Sequence, residues 1–556
     1  MSSAPFNLGQ VFNEAVALHR QGRLRDAEKI YTRVLKAAPD HFDALNLLGT
    51  VKWRLGRIGE AHRLFTAALK IRTDVPQVWS NLGQVLQILK RPKEALECHD
   101  KAYALAPDNV DILNSRANTL LSLGRPEEAL DQFREVLARA PDHGEAHLNS
   151  GIAHAALGSM EDAIAEYDRA LSLAPGHPVA HYNRGVALYE LGRYADAVDA
   201  HDNALATAPG HPGAWLNRGR ALAALKRLDD ALASYDKAKA IEKDNPDIHF
   251  MESLALLTVG DYRRGFEKYE ARWRRSGMPE QKSRGRPLWR GDYSLARKTV
   301  LLHAEQGLGD TIQFSRYVPQ LAASGANVVL EVQPELTSLM SRLEGVKVVI
   351  PHGAPAPPYD VHCPLGSLPL ALKTEPSNVP APIPYLSADE ARIAKWAARL
   401  GPRPRIAIAW SGNASHLNDR NRSMPFAKLA PLFSSPARFI SIQREVRAED
   451  ENVLAAEPRV THIGGELNDF DDTAAVVALC DLVIAVDTAV VHLAGAMGRP
   501  VWVMVPFAPD WRWTLDGDST PWYPTARLFR QTALGDWDSV INNVSAALRE
   551  LVSPSA

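Results

Sequence analysis

The sequence predicts two unlike halves, an all-helical repeat array followed by an α/β half made of two parallel-sheet lobes. Three observations carry this. Alanines at Ala27, Ala61, Ala95, Ala129, Ala163, Ala197 and Ala231 follow one another at 34-residue steps. From Lys298 onward, short apolar strands alternate with helical segments, the pattern of a parallel sheet. Within that half, LVIAVDTAVVHLAGAMGRPVWVMV (Leu482 to Val505) reads as strand, short helix and strand, a complete βαβ unit.

The bulk properties set the frame. A chain of 556 residues is too long for one core and calls for two to four domains. Charge is balanced, with 63 Lys+Arg against 65 Asp+Glu, which argues against broad nucleic-acid binding. Cys98, Cys363 and Cys480 are far apart and odd in number. They fit neither a metal site nor a disulfide framework, and they suit a reducing compartment. MSSAPFNLGQVF lacks the basic and apolar regions of a signal peptide. No run is long enough to span a bilayer. The expected location is the cytoplasm, with no membrane span.

In the first half, a ring follows each repeat alanine by four residues: Tyr31, Phe65, His99, Phe133, Tyr167, His201 and Tyr235. Prolines close most units, and Leu-Gly-Arg marks several helix-pair turns. This resembles the tetratricopeptide repeat, with a helix–turn–helix per unit. Seven units are expected, plus a degenerate eighth with Gly265 and Tyr269 in the alanine and ring slots. Stacking such pairs gives a superhelix with a concave groove lined by the first helix of each pair. Asn81, Asn149, Asn183 and Asn217 recur on that helix. A carboxamide both donates to and accepts from a peptide backbone, so the column is a candidate acceptor-binding ladder. The array resembles that of the O-GlcNAc transferases, whose asparagine ladder holds protein substrates. The competing reading is that these asparagines bond to neighbouring repeats. Trp79 and Trp215 occupy the large-residue slot and are expected in the core.

The segment Ser276 to Trp289 is rich in Gly, Pro and charge and reads as a linker or strap. The expected strands of the first lobe are Thr299 to His303, Asn327 to Val332 and Val346 to Ile350. Helices are expected over Thr311 to Ala323 and Glu335 to Leu343. Gly307 and Gly309 allow a tight turn and close approach to a ligand, with Asp310 at the helix start. Residues 351–387 are proline-rich and expected to be irregular, and Ala388 to Leu400 is expected to be helical. The second lobe opens with a strand, Arg405 to Trp410, and the loop Ser411-Gly412-Asn413. A helix over Phe426 to Leu432, a strand from Arg438 to Gln443 and a helix from Asp471 to Cys480, capped by Asp471 or Thr473, come next. After the βαβ unit, the tail carries Asp510-Trp-Arg-Trp513 and a last helix, Ser539 to Leu551.

In the βαβ unit, Asp487 and Thr488 fall at the strand end, where helix caps sit. A helix N-terminus there also suits phosphate. Two readings therefore stand for Asp487, Thr488, Ala489 and His492. They cap and pack, or they face the phosphates and sugar of a nucleotide-linked donor.

Two α/β units with a proline-rich join imply two Rossmann-like lobes facing one cleft, the architecture called GT-B among glycosyltransferases. Gln306-Gly-Leu-Gly-Asp310 resembles the N-lobe loop of the ADP-heptose:lipopolysaccharide heptosyltransferase family. Val486-Asp-Thr-Ala-Val-Val-His-Leu-Ala494, with Gly498 and Pro500, resembles its C-lobe donor motif, with Ala489 in place of the usual glycine. The resemblance implies four parts: a repeat superhelix over 1–275, a linker over 276–297, an acceptor-side lobe over 298–400 and a donor-binding lobe over 401–556. It implies Asp310 as general base and inversion at the anomeric carbon, while Glu305, two residues after the strand, stays open as the alternative base. Arg422 matches the family's phosphate-binding cation. Ser411 and Asn413 add hydrogen bonds, and Gln443 reads base or ribose. Arg512 is a further cation whose alternative is stacking between Trp511 and Trp513. No Asp-x-Asp pair stands at a strand end, so no metal and no cofactor beyond the nucleotide sugar is expected. The whole-chain plan resembles bacterial protein-modifying transferases, including those acting on flagellins.

Overall fold

The computed structural model describes residues 7–276, 285–380, 383–416 and 418–552. Of the expected linker, 277–284 lie outside the described residues, as do 1–6 of the amino-terminal segment read for a signal peptide. The first half is a run of paired helices, from Leu8–Arg20 with Leu24–Ala37 to Pro246–Thr258 with Tyr262–Tyr269. All seven repeat alanines are fully buried. The ring slot explains the glycines opposite it. Phe65, His99, Tyr167, His201 and Tyr235 lie on Gly49, Gly83, Gly151, Gly185 and Gly219, where an added Cβ would come within 2.4–2.8 Å of a ring atom. Trp79 and Trp215 are half-buried braces as well as packing groups. Their ring N–H groups donate to the carbonyls of Thr73 and Pro209, both at 2.9 Å. His147, His181 and His249 make the same contact six residues back.

The chain forms two compact units, one ending at Arg218 and the other beginning at Gly219. The division falls inside helix Pro212–Ala224, well before the boundary expected at 275. The helices after it share the second unit with the α/β region. One core contains Tyr262, Phe266 and Tyr269 of the last helix pair, Trp289 of the strap, and residues from both sheets.

The first sheet holds β1 (Thr299–His303), β2 (Asn327–Val332), β3 (Val346–Pro351) and β4 (Val361–Pro364) in the order β3-β2-β1-β4, all parallel. The second holds β5 (Arg405–Ala409), β6 (Arg438–Ser441), β7 (Val460–His462), β8 (Leu482–Val486), β9 (Val501–Val505) and β10 (Ala526–Arg530) in the order β10-β9-β8-β5-β6-β7, also parallel. An all-α tetratricopeptide-repeat superhelix thus precedes an α/β region with two parallel sheets.

Several expectations are corrected. The proline-rich stretch is not simply irregular, because it contains β4, which pairs with the central β1. Strands β7 and β10 and helix Ala448–Ala455 were not expected. The expected helix Glu335 to Leu343 is a 3-10 turn, Pro334–Leu336, and a short helix, Thr337–Met340. Phe426–Ser434 is a 3-10 helix containing Pro431. The cap of helix Phe470–Leu479 is Asp469, which accepts from the Asp472 N–H at 3.0 Å. Asp471 and Thr473 are therefore not the caps. Asp471 pairs with Arg342 instead.

Candidate functional site at the strand order reversals

Each sheet has one place where the chain reverses its direction of travel across the strands. In the first it lies between β1 and β4, and in the second between β5 and β8. In open α/β sheets, ligands sit in the crevice beyond the strand ends at such points.

The second reversal collects most of the expected donor residues. Strand β5 ends at Ala409, placing Ser411 just beyond it, and β8 ends at Val486, placing Asp487 and Thr488 beside it. Thr488 occupies the N-cap position of helix Ala489–Ala496 but makes no side-chain capping bond. Its Oγ1 is buried without a partner, as are Ser411 Oγ and Arg422 Nε. Arg422 ends the short helix Asp419–Arg422 and donates to the Asp487 carbonyl at 3.1 Å. It lies over Gly412, where a Cβ would meet Arg422 Nη2 at 2.6 Å. Asp419 faces it, held by Ser423 and by Arg447.

Asp487 is drawn up to about 6. Burial is the main cause, Asp510 adds to it, and Arg422 and Arg512 oppose it. His492 is buried on helix Ala489–Ala496. Its Nδ1 lies 3.0 Å from the Tyr523 hydroxyl and its ring lies against Trp513. Burial and the nearby arginines hold it well below the ordinary histidine range, so it is neutral near pH 7.

Asp310 comes from the first sheet. The loop after β1 leads into helix Leu308–Phe314, which starts before Asp310. The carboxylate therefore sits in the first turn and accepts from the Gly307 N–H at 3.0 Å. Gly307 and Gly309 have no left-handed backbone, so a tight turn is not their role. Gly309 allows close approach, since a Cβ there would meet His492 Cδ2 at 2.8 Å. Helices Leu308–Phe314 and Ala489–Ala496 are thereby in contact, and Asp310 and Thr488 stand at one junction. Arg512 spans it by pairing with Asp310, with Asp510 at 2.9 Å and with Gln313 Oε1. Its guanidinium also lies 4.3 Å from the Trp511 ring centroid, so pairing and stacking coexist.

Three expected residues have other work. Gln443 Oε1 accepts from the N–H groups of Trp410 and Ser411, and its Nε2 donates to the carbonyls of Ser411 and Glu445. Its side chain is taken up by backbone groups on both ends. Asn413 accepts from Ser415 N and Oγ, forming an exposed turn. Glu305 is buried, accepting from Arg272 and from the Gly366 N–H, both at 3.1 Å, and burial raises it to about 7. A carboxylate so enclosed is a poorer candidate base than Asp310, whose side chain is 26% exposed.

The asparagine column is partly spoken for. Asn149 donates to Asn118 at 2.8 Å and Asn217 to the Tyr182 hydroxyl at 3.3 Å, each reaching the preceding repeat. Asn81 accepts from Gln77. All four asparagines, Asn183 included, are half-buried. Sequence reading missed Tyr269, Arg272 and Asp510, whose significance depends on folding partners far away in the chain.

Comparison with known proteins agrees with this division. Residues 8–74, 74–142, 114–178 and 180–247 match tetratricopeptide-repeat models. Residues 431–503, which contain Asp487 to His492, match glycosyltransferase family 9 (heptosyltransferase). Tetratricopeptide repeats are thus followed, in one chain, by a segment that matches a family of nucleotide-sugar-dependent glycosyltransferases. It is similar to the protein FlbA of Caulobacter vibrioides, with 29% identity over 335 residues, 55% of either chain. The chain thus spans just over half the length of that relative. Among solved structures, a tetratricopeptide repeat protein from Parabacteroides merdae is 18% identical, covers 45% of this chain and 98% of its own, and has a TM-score of 0.38. The Thermus thermophilus protein TTC0263 is 27% identical, with coverage of 33% and 100% and a TM-score of 0.29. No helix among the described residues is long and apolar enough to cross a membrane.

Proposed function

We propose that this chain is an inverting glycosyltransferase that moves a sugar from a nucleotide sugar to a hydroxyl of a protein held by the repeats. The observation that carries this reading is the second strand-order reversal. Three buried polar groups without partners, Ser411 Oγ, Thr488 Oγ1 and Arg422 Nε, lie beside an uncapped helix N-terminus. An unsatisfied buried polar group costs about 1–3 kcal/mol. A diphosphate supplies acceptor oxygens for all three and for the helix amides.

In this mechanism the leaving diphosphate develops charge against Arg422 and the amides of Thr488 and Ala489. No divalent ion is required for that step, so turnover in EDTA is expected. Neutral His492 bonds to phosphate or sugar. Asp310 takes the proton of the attacking hydroxyl as it reaches the anomeric carbon from the face opposite the nucleotide. Arg512 orients that carboxylate and must release or share it during proton transfer.

Asp310→Asn tests the base. Transfer is expected to fall by roughly 10²–10⁴-fold while affinity for the nucleotide sugar stays unchanged. Full activity removes Asp310 from the role, and failure of the unmodified chain to bind any nucleotide sugar leaves only a scaffold. The acceptor reading rests on the asparagine column and the resemblance to flagellin-modifying enzymes. Replacing Asn149, Asn183 and Asn217 together by Ala is expected to weaken protein acceptor binding about tenfold or more, since each lost hydrogen bond is worth about 0.5–1.5 kcal/mol. Donor hydrolysis should be spared. Mass spectrometry of co-expressed flagellin separates a protein acceptor from a glycan one.

A further inference from the structure

The loop that carries Asp310 is held from the last repeat. The Gln306 Nε2 donates to the Tyr269 hydroxyl at 2.6 Å. The Gln306 carbonyl accepts from Gln333 at 2.7 Å, and Gln333 Oε1 accepts from Thr311 at 2.9 Å. These bonds bracket Gly307 to Asp310 from both ends. One residue earlier, Glu305 is bound by Arg272, which is 1% exposed. Arg272 also donates to Ser367 at 2.8 Å and to Glu270 at 2.6 Å. Ser367 completes the set by donating to Glu270 at 2.7 Å. Tyr269 and Arg272 belong to the end of the helical array, yet their partners lie on the loops after β1 and β4.

We propose that the last helix pair is a working part of the transfer site, with Tyr269 and Arg272 as positioning residues that hold residues 304–310, and hence Asp310, against the donor crevice. This rests on the glycosyltransferase reading above. The geometry favours it over simple domain packing. An aromatic cluster of Tyr262, Phe266, Trp511 and Trp522, with Trp522 donating to the Tyr262 hydroxyl at 3.0 Å, already fixes the helix pair to the second sheet's tail. The Tyr269 hydroxyl makes a further bond to the loop itself. Displacing a reacting group by about 1 Å costs on the order of 10²-fold in rate, so an anchor at Gln306, four residues before Asp310, bears on the placement of that carboxylate.

The test uses the full chain with Tyr269→Phe, Gln306→Met and the double variant, read by hydrogen–deuterium exchange and by turnover. The substrates are UDP-glucose, GDP-mannose, ADP-glucose and UDP-N-acetylglucosamine. One lost hydrogen bond is expected to speed exchange in residues 304–311 by roughly tenfold. The double variant should exchange no faster than either single one, and residues 482–496 should be unchanged. With whichever donor the unmodified chain turns over, kcat should fall about tenfold with donor KM held within about twofold, the signature of lost transition-state positioning. Unchanged exchange in both single variants overturns the anchor. Faster exchange with unchanged kcat overturns the catalytic role. If the unmodified chain turns over no donor in the set and binds none, the glycosyltransferase reading fails with the catalytic role, while exchange still decides the anchor.

Discussion

The two strand-order reversals have the same topology and opposite fillings. At the first, between β1 and β4, the crevice is occupied by the protein itself: Arg272 reaches in, Glu305, Ser367 and the Gly366 N–H are bonded around it, and only its Nε, like that of Arg422, has no hydrogen-bond partner. At the second, between β5 and β8, Arg422 donates to the Asp487 carbonyl and pairs with Asp419 at 3.8 Å, while Ser411 and Thr488 present buried hydroxyls without a hydrogen-bond partner. A parallel sheet makes a crevice at every reversal. The side chains decide whether its polar groups are satisfied within the fold or left without partners.

The sharpest way to break that contrast is to remove the arginine from each crevice. Arg272→Met leaves Glu305 buried without its cation, and breaking a buried pair costs about 3–5 kcal/mol. Denaturant unfolding should show this loss in the second compact unit. Arg422→Met should cost less, about 1–2 kcal/mol, because Asp419 keeps Arg447 and the main loss is the bond to the Asp487 carbonyl, but it should weaken binding of a nucleotide sugar by roughly 10–100-fold. Equal stability losses at the two sites would make the second crevice as structural as the first.

A smaller effect follows from pH. Asp487 is drawn up to about 6 by burial, with the charge of Asp510 adding and Arg422 and Arg512 opposing. Above that value its negative charge opposes an incoming diphosphate, and below it the group is neutral. Affinity for a nucleotide sugar, whose diphosphate is esterified at both ends and does not titrate here, should therefore rise as pH falls from 8 to 5. The gain should be about tenfold or less, one pKa unit being worth about 1.4 kcal/mol. Asp487→Asn should flatten the profile. His492 is held well below its ordinary range by burial and the nearby arginines, so it stays neutral across most of that window. Calorimetry at four or five pH values decides, and a wild-type profile that is already flat removes Asp487 from the diphosphate's surroundings.

What was legible in the sequence follows the same division. Local patterns were readable: the 34-residue period, the βαβ unit with strands at Leu482–Val486 and Val501–Val505, and the Gly-x-Gly-Asp loop. Elements whose stability comes from neighbours were not. Strand β4 is four residues, Val-His-Cys-Pro, with one β-branched side chain. It becomes a strand because β1 pairs with it, and the strap adds a bridge at Leu288. Gln443 looked like a ligand reader because it ends an apolar strand, but two backbone N–H groups and two carbonyls absorb it. Arg272 was invisible as a site residue because its partners lie 33 and 95 positions away. Even the repeat histidines mislead when read singly. His41, His143, His177 and His211 are N-caps whose Nδ1 accepts a backbone N–H, while His99 and His201 are buried rings.

The smallest expected effect is the most specific, because the two crevices should respond with opposite signs. Thr488 Oγ1 is buried and unbonded, so Thr488→Ala removes a desolvated hydroxyl that the folded chain gains nothing from. Stability should be unchanged or rise by up to about 1 kcal/mol. The same change should weaken nucleotide-sugar binding by about 3–10-fold, the worth of one hydrogen bond to a charged oxygen. Ser367→Ala in the filled crevice deletes a hydroxyl that accepts from Arg272 and donates to Glu270. It should lower stability by about 1–2 kcal/mol without a direct effect on donor affinity. Natural sequences tolerate local destabilisation where function needs it, so a stabilising Thr488→Ala that binds donor less well marks the open crevice as the site. A Thr488→Ala that destabilises the fold as Ser367→Ala does would place its hydroxyl in the same structural class and remove the main support for a donor at β5 and β8.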